Sequence, residues 1–369
     1  MKHGLVIGKF YPPHAGHKLL VQTAAALCER VSVVVMASSV ETIPLTQRVD
    51  WLREIHALDG NVVVTGIADD IEVNYGDDAI WRAHVALMLQ ATAALTDEPV
   101  DCVFTSEQYG PELARRLGAR HVAVDPERKL MPVSATAVRQ NPGANWQYLA
   151  PCVRAGLTLR VVLVGAESTG KTTLAAELAQ RYRQRADHAA AEWVPEYGRE
   201  FTLFKLAQAR GRAQLQGLPE PRMEELRWTS EDFLTIAREQ NRQEELAARS
   251  GSRLLICDTD AFATAIWHAR YQGAYLPELE PIAARGPRRL YLLTHPDDVP
   301  FAQDGIRDGE QIRDWMTAEF ATQLTASGRH WDWLRGSSQQ ARSERALAMI
   351  DFWLAGGLGL APPLATQSG

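Results

Sequence analysis

A glycine-rich segment near the middle of the chain has the residue types that bind a phosphate chain. Residues 165–172 read GAESTGKT and fit the pattern G-x-x-x-x-G-K-[ST]. Gly165 and Gly170 let successive backbone N–H groups turn toward an anion, and the following helix would add its N-terminal dipole. In this pattern Lys171 reaches the β- and γ-phosphates and the Thr172 hydroxyl ligates Mg²⁺. The segment predicts a nucleoside triphosphate site but leaves the acceptor open. The other residues that we expect to line it are Glu167, Ser168, Thr169 and Thr173.

A second cluster of reactive residue types lies at the start of the chain. Residues 8–17 read GKFYPPHAGH, so His14 and His17 are three apart at the start of a predicted helix and can face one point. Gly8 and Gly16 would let a phosphate approach the backbone. Imidazoles that donate to phosphate oxygens would stabilise the charge that builds on a leaving pyrophosphate. The spacing alone also allows a metal-binding pair or two surface histidines.

Both clusters require a strand before them and a helix after them. The apolar run at 159–164 predicts a buried strand and 174–179 predicts a helix, which is the frame of a phosphate loop. A further strand at 254–257 ends in Asp258 and Asp260. A carboxylate at this position can hold the Mg²⁺ shell or contact the substrate.

The order of the elements predicts two tandem doubly wound α/β domains, each with a parallel sheet. A strand at 5–7, a helix at 19–29 and a strand at 31–36 form a βαβ unit, and strands alternate with helices beyond it. The tail is rich in Gly, Pro and Ala, which is typical of disordered ends. The expected divisions are domains at 1–152 and 158–355 and a disordered tail at 356–369.

Composition excludes several classes of protein. The 369 residues are 46% apolar and 23% charged, as in ordinary globular proteins, and the net charge of −6 argues against a nucleic-acid surface. The four cysteines are widely spaced without a C-x-x-C motif, which favours a reducing compartment. No apolar run approaches the roughly 18 residues of a membrane helix. Because the N-terminus leads directly into a predicted strand, we expect no signal peptide. We therefore expect a cytoplasmic protein with small-molecule partners.

The first cluster resembles the signature of the nucleotidyltransferase superfamily. Residues 8–17 match G-x-F-x-P-x-H-x-G-H, with Phe10 at the aromatic position. Residues 133–139, VSATAVR, are similar to the superfamily's I-S-x-T-x-I-R segment, with Val at both Ile positions. The resemblance implies that Gly8, Lys9 and Phe10 contact ATP. It also implies that Ser134, Thr136 and Arg139 bind the triphosphate from the opposite side. Ser134 can also be read as an ordinary helix N-cap.

A nucleotidyltransferase domain followed by a phosphate-loop kinase resembles the NadR family, over residues 2 to 333 of this chain. These are bifunctional enzymes of NAD biosynthesis. The resemblance implies that the C-terminal domain uses ATP and Mg²⁺ to phosphorylate nicotinamide riboside to nicotinamide mononucleotide (NMN). It implies that the N-terminal domain transfers adenylate from ATP to NMN, giving NAD and pyrophosphate. Many family members carry an N-terminal helix-turn-helix repressor domain. We expect none here, and no DNA binding. Family members often self-associate, so a homo-oligomer is possible.

The resemblance assigns further roles in the second domain. Residues 196–200, EYGRE, match the family's E-Y-x-R-E segment, which makes Glu196 the candidate base for the attacking hydroxyl, with Asp258 as the alternative. Arg199 would steady phosphoryl oxygens. Residues 304–307, DGIR, are similar to the family's D-G-x-R lid, in which Arg307 would cover the phosphates. A solvated ion pair and a plain turn are the structural alternatives for these two segments.

Aromatic residues must hold the nicotinamide ring. Trp81 is the candidate in the first domain, although a core role explains it nearly as well, and Tyr197 and Trp267 are candidates in the second. Two other functions fit the same motifs. One is the same chemistry on another nucleoside or nucleotide acceptor. The other is a nucleotide-sensing regulator that binds ATP or NAD without turnover.

Overall fold

The computed structural model describes residues 1–284, 288–297, 299–303, 310–364 and 366–367. The chain folds into two compact units. The first comprises Met1–Val153 with Gly356–Gly369, and the second comprises Arg154–Ala355. The predicted domains span 1–152 and 158–355, and the two units divide between Val153 and Arg154. No helix among the described residues combines the length and the apolar character needed to cross a membrane.

The first unit is built on a parallel five-stranded sheet with the order β3-β2-β1-β5-β6. Its strands are rich in valine and buried, as expected for a sheet covered by helices on both faces. The strands are β1 (His3–Gly8), β2 (Arg30–Ala37), β3 (Val62–Ala68), the short β4 (Val73–Asn74) outside the main sheet, β5 (Cys102–Thr105) and β6 (Arg120–Ala123). The helices are α1 (Ala15–Leu27), α2 (Leu45–Ile55), α3 (Asp78–Ala93), α4 (Gly110–Leu117), α5 (Ala135–Gln140) and α6 (Pro142–Asn145). Helix α7 (Pro151–Leu157) spans the chain boundary of the two units.

The second unit has another parallel five-stranded sheet, with the order β11-β10-β7-β9-β8. Its strands are β7 (Leu159–Val164), β8 (Glu192–Val194), β9 (Leu254–Asp258), β10 (Arg289–Thr294) and β11 (Trp331–Leu334). Its helices are α8 (Lys171–Arg183), α9 (Tyr197–Gln216), α10 (Ser230–Ser250), α11 (Ala261–Gln272), α12 (Glu280–Ala283), α13 (Arg313–Ala326) and α14 (Gln339–Ala355).

The topology places a crevice at the end of one central strand in each sheet. In the first sheet β1 lies between β2 and β5, and in the second β7 lies between β10 and β9. The chain order reverses at these strands, and ligands of doubly wound sheets bind beyond the carboxyl ends of the strands at such a point. Both predicted phosphate motifs directly follow these strands. The predicted fold class is therefore confirmed.

Described residues of the C-terminal tail, which the sequence predicts to be disordered over 356–369, make specific hydrogen bonds. The Ala361 N–H donates to Thr42 Oγ1 at 2.8 Å, and the Ala361 carbonyl accepts from the Tyr11 hydroxyl at 2.9 Å. Strand β12 (Thr366–Gln367) then pairs in parallel with β4. Backbone hydrogen bonds of this kind leave no trace in composition, so a Gly- and Pro-rich tail does not reveal its contacts.

Candidate functional sites

The loop between β7 and α8 adopts the backbone geometry of an anion cradle. Gly165 has a φ of 140° and Gly170 a φ of 79°, and Ser168 between them has a φ of 57°. The first two values lie where glycine is favoured and a side chain is strained. Lys171 opens α8, and its ammonium donates to the carbonyls of Gly165 at 3.0 Å and Ala166 at 2.8 Å. The lysine therefore lies across the loop to which a phosphate chain would bind.

Side chains from distant parts of the sequence hold this loop. The Thr169 hydroxyl bonds to the Ala166 carbonyl and lies 2.7 Å from the Thr294 hydroxyl at the end of β10. The buried Arg342 donates to the Thr169 carbonyl at 2.8 Å, and Arg313 donates to the Ser168 carbonyl at 3.4 Å. Sequence reasoning missed these arginines because they follow the motif by more than 140 residues without a motif of their own.

Thr172 and Asp258 meet as the motifs predict. The Thr172 hydroxyl donates to Asp258 Oδ2 at 2.5 Å. Asp258 is almost fully buried, and its other oxygen, Oδ1, has no hydrogen-bond partner among the described residues. Burial raises the pKa of Asp258, while the charge of Lys171, the Thr172 hydrogen bond and the charge of Arg199 oppose that shift. The result is a buried carboxylate with one free oxygen beside the phosphate loop.

A cavity of 460 Å³ opens over the loop. It brings together most of the predicted residues of the second unit, including Glu196 at the N-terminus of α9, and Arg199. The predicted residues that line it are Gly165, Glu167, Ser168, Thr169, Gly170, Lys171, Thr172, Thr173, Glu196, Arg199 and Trp267. Arg307 and its segment, 304–307, lie outside the described residues.

The structure does not bring Asp260 or Tyr197 to this cavity. Asp260 is fully buried and caps α11 by accepting from the Phe262 and Ala263 N–H groups. Its other oxygen accepts from Arg289 at 3.1 Å and from the Tyr291 hydroxyl at 2.7 Å. The predicted substrate contact is therefore corrected to a structural one, because the carboxylate is buried and both of its oxygens accept hydrogen bonds from within the protein.

Tyr197 is the first residue of α9 and does not line the cavity. Its N–H donates to Gln240 Oε1 at 2.9 Å, and its ring lies 6.2 Å from that of Phe201. The predicted ring contact is therefore not formed here, because the ring turns toward the helix rather than the cavity.

An aromatic wall that sequence reasoning largely missed closes the cavity. We define it as Trp228, Phe233, Trp267 and Tyr271, all of which line the cavity. The Trp228 ring lies 5.5 Å from Phe233 and 5.4 Å from Tyr271, and Trp267 lies 6.2 Å from Tyr271. Lys205 lies over Trp228 at 5.4 Å. Only Trp267 was a candidate, because the four residues come from a loop and two helices that no local pattern connects.

In the first unit, the two histidines of the N-terminal motif are stacked at the start of α1. His14 is the N-cap residue, and its ring centroid lies 3.7 Å from that of His17. The Phe10 ring lies 4.8 Å from His17. The His14 N–H donates to His17 Nδ1 at 3.3 Å, so the neutral His17 ring carries its proton on Nε2.

Both histidines are neutral near pH 7 in this state. Burial and the charge of Arg128 lower the pKa of His14 to about 4. Burial, His14 and Arg128 lower the pKa of His17 well below its usual value. A bound anion would oppose these causes, because a nearby opposite charge favours the protonated ring.

Lys9 is anchored by a buried acid, Glu41, for which the sequence indicated no role. Lys9 Nζ lies 3.0 Å from Glu41 Oε1, and Glu41 Oε2 accepts from Arg48 at 2.6 Å. Arg48 is fully buried and also donates to the Lys9 carbonyl at 3.0 Å. Glu41 and Arg48 thus hold Lys9, in the turn after β1, through its side chain and through its backbone carbonyl.

Residues of the segment 133–139 lie at the same cavity. Ser134 is the N-cap of α5, because its side chain accepts from the Ala137 N–H at 3.1 Å. The same residue also lines the cavity. Arg139 donates to Thr136 Oγ1 at 3.1 Å and to the Tyr11 carbonyl at 2.6 Å. The guanidinium is thus oriented by the turn that carries the histidines.

Trp81 is a core residue that also reaches the cavity of the first unit. Its side chain is 7% exposed, its Nε1–H donates to the Tyr75 carbonyl at 3.1 Å, and Arg116 lies over its ring at 5.1 Å. It belongs to a core cluster and also lines the cavity together with Tyr75.

The cavity of the first unit, which we call the first cavity, has a volume of 580 Å³ and is lined by every predicted site residue of this unit. Those residues are Gly8, Lys9, Phe10, His14, His17, Trp81, Ser134, Thr136 and Arg139. The fold and the two cavities define a protein that joins a nucleotidyltransferase-type unit to a phosphate-loop unit. Residues 5–141 match the cytidylyltransferase-like family model and residues 160–341 match an AAA domain model.

Comparisons with known proteins agree with this class. The trifunctional NAD biosynthesis/regulator protein NadR of Escherichia coli (strain K12) is 25% identical over 321 residues, covering 82% of this chain and 71% of that protein. A nicotinamide-nucleotide adenylyltransferase of Methanoculleus marisnigri is 30% identical over 159 residues, covering 41% of this chain and 86% of that protein. A solved structure of a NadR protein in complex with NAD and AMP-PNP has the same fold, with a TM-score of 0.67, 21% identity and coverage of 100% and 98% of the two chains. The chain belongs to the nicotinamide-nucleotide adenylyltransferase family, and within it to the NadR type.

Proposed function

We propose that this chain catalyses two consecutive steps of NAD synthesis with ATP at both. The second unit phosphorylates nicotinamide riboside to NMN, and the first unit joins NMN to the adenylate of ATP. The observation that carries the proposal is the presence of two separate phosphate-binding motifs, each on its own sheet and each opening a cavity large enough for a nucleotide. Relatives named for NAD biosynthesis and for nicotinamide-nucleotide adenylyl transfer supply the acceptor.

In the first unit, the NMN phosphate attacks the α-phosphorus of ATP and pyrophosphate leaves. No covalent enzyme intermediate is needed, because positioning and charge stabilisation are sufficient for this transfer. Neutral His17 donates through Nε2–H, while Lys9 and Arg139 provide fixed positive charge. As negative charge builds on the leaving pyrophosphate, the pKa values of His14 and His17 rise from their lowered positions. The histidines thus strengthen as donors when the leaving group needs them.

In the second unit, the 5′-hydroxyl of the riboside attacks the γ-phosphorus of ATP. Lys171 exchanges its contacts with the Gly165 and Ala166 carbonyls for contacts with phosphate oxygens. Glu196 lines the cavity at the N-terminus of α9 and accepts the hydroxyl proton. Asp258 is the weaker candidate for the base, because one of its oxygens is already held by Thr172. Arg199 steadies the phosphoryl oxygens.

The residues beside the phosphate loop fit a magnesium ion. Among the described residues, no group of three or more His, Cys, Asp or Glu could hold a metal. Mg²⁺ in nucleotide sites, however, uses one or two protein oxygens together with phosphates and water. The Thr172 hydroxyl and the unpartnered, buried Oδ1 of Asp258 are such oxygens. When bound, the ion neutralises charge on the β- and γ-phosphates.

The aromatic wall of the second cavity fits the nicotinamide ring of the riboside. The ring is a pyridinium cation, and electron-rich faces of Trp and Tyr attract cations within about 6 Å of the ring centre. Trp267 provides such a face at the cavity, whereas Lys205 already lies over Trp228 and Arg270 over Tyr271. The wall therefore distinguishes this riboside from neutral nucleosides of similar size.

Two single substitutions test the two-site function. Nicotinamide riboside, NMN and NAD are followed by chromatography in wild type, His17→Ala and Lys171→Ala. We expect His17→Ala to stop at NMN and Lys171→Ala to form NAD only when NMN is supplied, each loss being about 100-fold or more. Lys129→Ala is a matched control because Lys129 is exposed and outside the cavities.

Loss of both activities in either variant with folding intact would contradict the separation into two sites. Wild-type protein that binds ATP but turns over neither acceptor would favour the nucleotide-sensing regulator instead.

A further inference from the structure

We propose that the end of the chain closes the acceptor part of the first cavity. We call the described residues of this segment, 361–364 and 366–367, the strap. The inference rests on the proposed function of the first unit, because it names a further binding element for its NMN. The strap lies more than 200 residues after the other elements of this unit and belongs to none of the motifs.

The strap begins at a two-point anchor formed by Tyr11 of the N-terminal motif and by Thr42. The Ala361 N–H donates to Thr42 Oγ1 at 2.8 Å, and its carbonyl accepts from the Tyr11 hydroxyl at 2.9 Å. The same hydroxyl accepts from the Thr42 N–H at 3.0 Å, so three groups form a closed network. The Tyr11 side chain is buried, and its carbonyl holds Arg139. The strap is thereby fixed to the turn that carries the histidines.

The strap ends at a second anchor, where Thr366–Gln367 pair with Val73–Asn74 of β4. Between the anchors, Pro363 and Leu364 line the cavity. A segment held at both ends with its middle on the cavity spans the site rather than hanging beside it.

The strap's sequence suits this path. Gly357 and Gly359, just before it, have φ values of 66° and 63° and redirect the chain after α14. Pro362 and Pro363 lack N–H donors and fix φ near the extended region, so this stretch loses little entropy when it is ordered. Two prolines also leave few backbone groups unsatisfied over an apolar cavity wall.

The second anchor locates the strap near the acceptor rather than the triphosphate. Val73 and Asn74, the strand with which the strap pairs, line the cavity, and so does Tyr75 directly after them. The Tyr75 carbonyl accepts from Trp81 Nε1, and their rings lie 5.8 Å apart. Pro363 and Leu364 therefore add apolar surface beside the aromatic pair on which a nicotinamide ring would stack. Their role is to exclude water from that ring.

The test compares wild type with a deletion of residues 356–369 and with Leu364→Ser. We expect the KM for NMN in adenylyl transfer to rise about tenfold, the usual effect of losing apolar contacts in a pocket, with the KM for ATP unchanged. Tyr11→Phe, which removes the hydroxyl of the first anchor, should move the KM for NMN in the same direction. Deletion of residues 368–369 alone is the matched control, because it retains both anchors.

Riboside phosphorylation in the same preparations reports whether the second unit is intact and should not change. If the deletion unfolds the first unit, Leu364→Ser decides alone. An unchanged KM for NMN in that variant would refute the proposed role of the strap in NMN binding. A lower KM would also refute it, because it would show that the strap hinders NMN binding. Wild-type protein that forms no NAD from NMN and ATP would refute the proposed function rather than the strap.

Discussion

Replacing Gly165 with alanine should inactivate the second unit and spare the first. A Cβ at this position would lie 2.4 Å from Thr294 Oγ1 and 2.9 Å from the Thr294 carbonyl oxygen. Its φ of 140° is also one that side chains rarely adopt. The backbone strain costs about 1–3 kcal/mol. The steric overlap costs about another 1–3 kcal/mol, because Thr294 is buried at the end of β10 and cannot withdraw. The loop relieves this cost by moving away from β10.

That movement displaces the anion cradle and Lys171 from the phosphates. A misplacement of about 1 Å costs roughly 100-fold in rate, so we expect the kcat/KM of riboside phosphorylation to fall by at least about that factor. Adenylyl transfer to NMN, assayed in the same tube, should stay within about twofold because Gly165 belongs to the other unit. Urea unfolding should show a loss of about 2–6 kcal/mol if the loop does not relax.

Gly328→Ala is the matched control for this substitution. Gly328 has a similarly positive φ of 63°, but a Cβ there meets nothing within 4 Å. It should cost about 1–2 kcal/mol of stability through φ alone and leave both activities in place. If Gly165→Ala keeps riboside phosphorylation within about threefold of wild type, the close approach of the loop to Thr294 does not hold the cradle, and the reasoning fails.

Two further predictions concern buried ionisable groups. Asp258→Asn should lower the kcat of riboside phosphorylation by about 100-fold at saturating Mg²⁺ without loss of stability, because the amide keeps the shape and removes a buried charge; a rate near wild type would exclude a role in metal binding. For His14, the folded-state pKa of about 4 lies below the unfolded value of 6.5, so the unfolded chain binds the proton first. The first unit should therefore lose up to about 3 kcal/mol as pH falls from 6.5 to 4, and His14→Asn should flatten that slope in urea unfolding; parallel slopes in the two proteins would show that the His14 ring is not buried.

The sequence was most informative where the chemistry depends on a contiguous backbone. The loop at 165–172 and the turn at 8–17 carry their own glycines, donors and flanking elements, so their position after β1 and β7 followed from a local pattern. The meeting of Thr172 with Asp258 was also predictable, because parallel strands bring their carboxyl ends to one edge.

What the sequence could not provide are the contacts that close over long separations. Arg342 reaches the Thr169 carbonyl across 173 positions, and Tyr11 reaches Ala361 across 350. Neither pair has a spacing that any periodicity encodes. Asp260 shows the opposite error, since a carboxylate two residues beyond Asp258 looks like a ligand but caps a helix in a filled core. Only packing separates these two acids.

Both units place fixed positive charge at the nucleotide, but the first adds stacked histidines, and this difference follows from which bond breaks. The second unit transfers the γ-phosphoryl group, so Lys171 carries a permanent charge beside a loop of backbone donors. The first unit releases the β- and γ-phosphates together, so donors must hold the leaving group and then let it go. Stacked histidines with lowered pKa values suit that cycle: they are neutral before ATP binds, become more basic as pyrophosphate charge develops, and regain their lowered pKa values after it departs. A lysine pair in their place would bind the triphosphate in the ground state as tightly as in the transition state and retain the product.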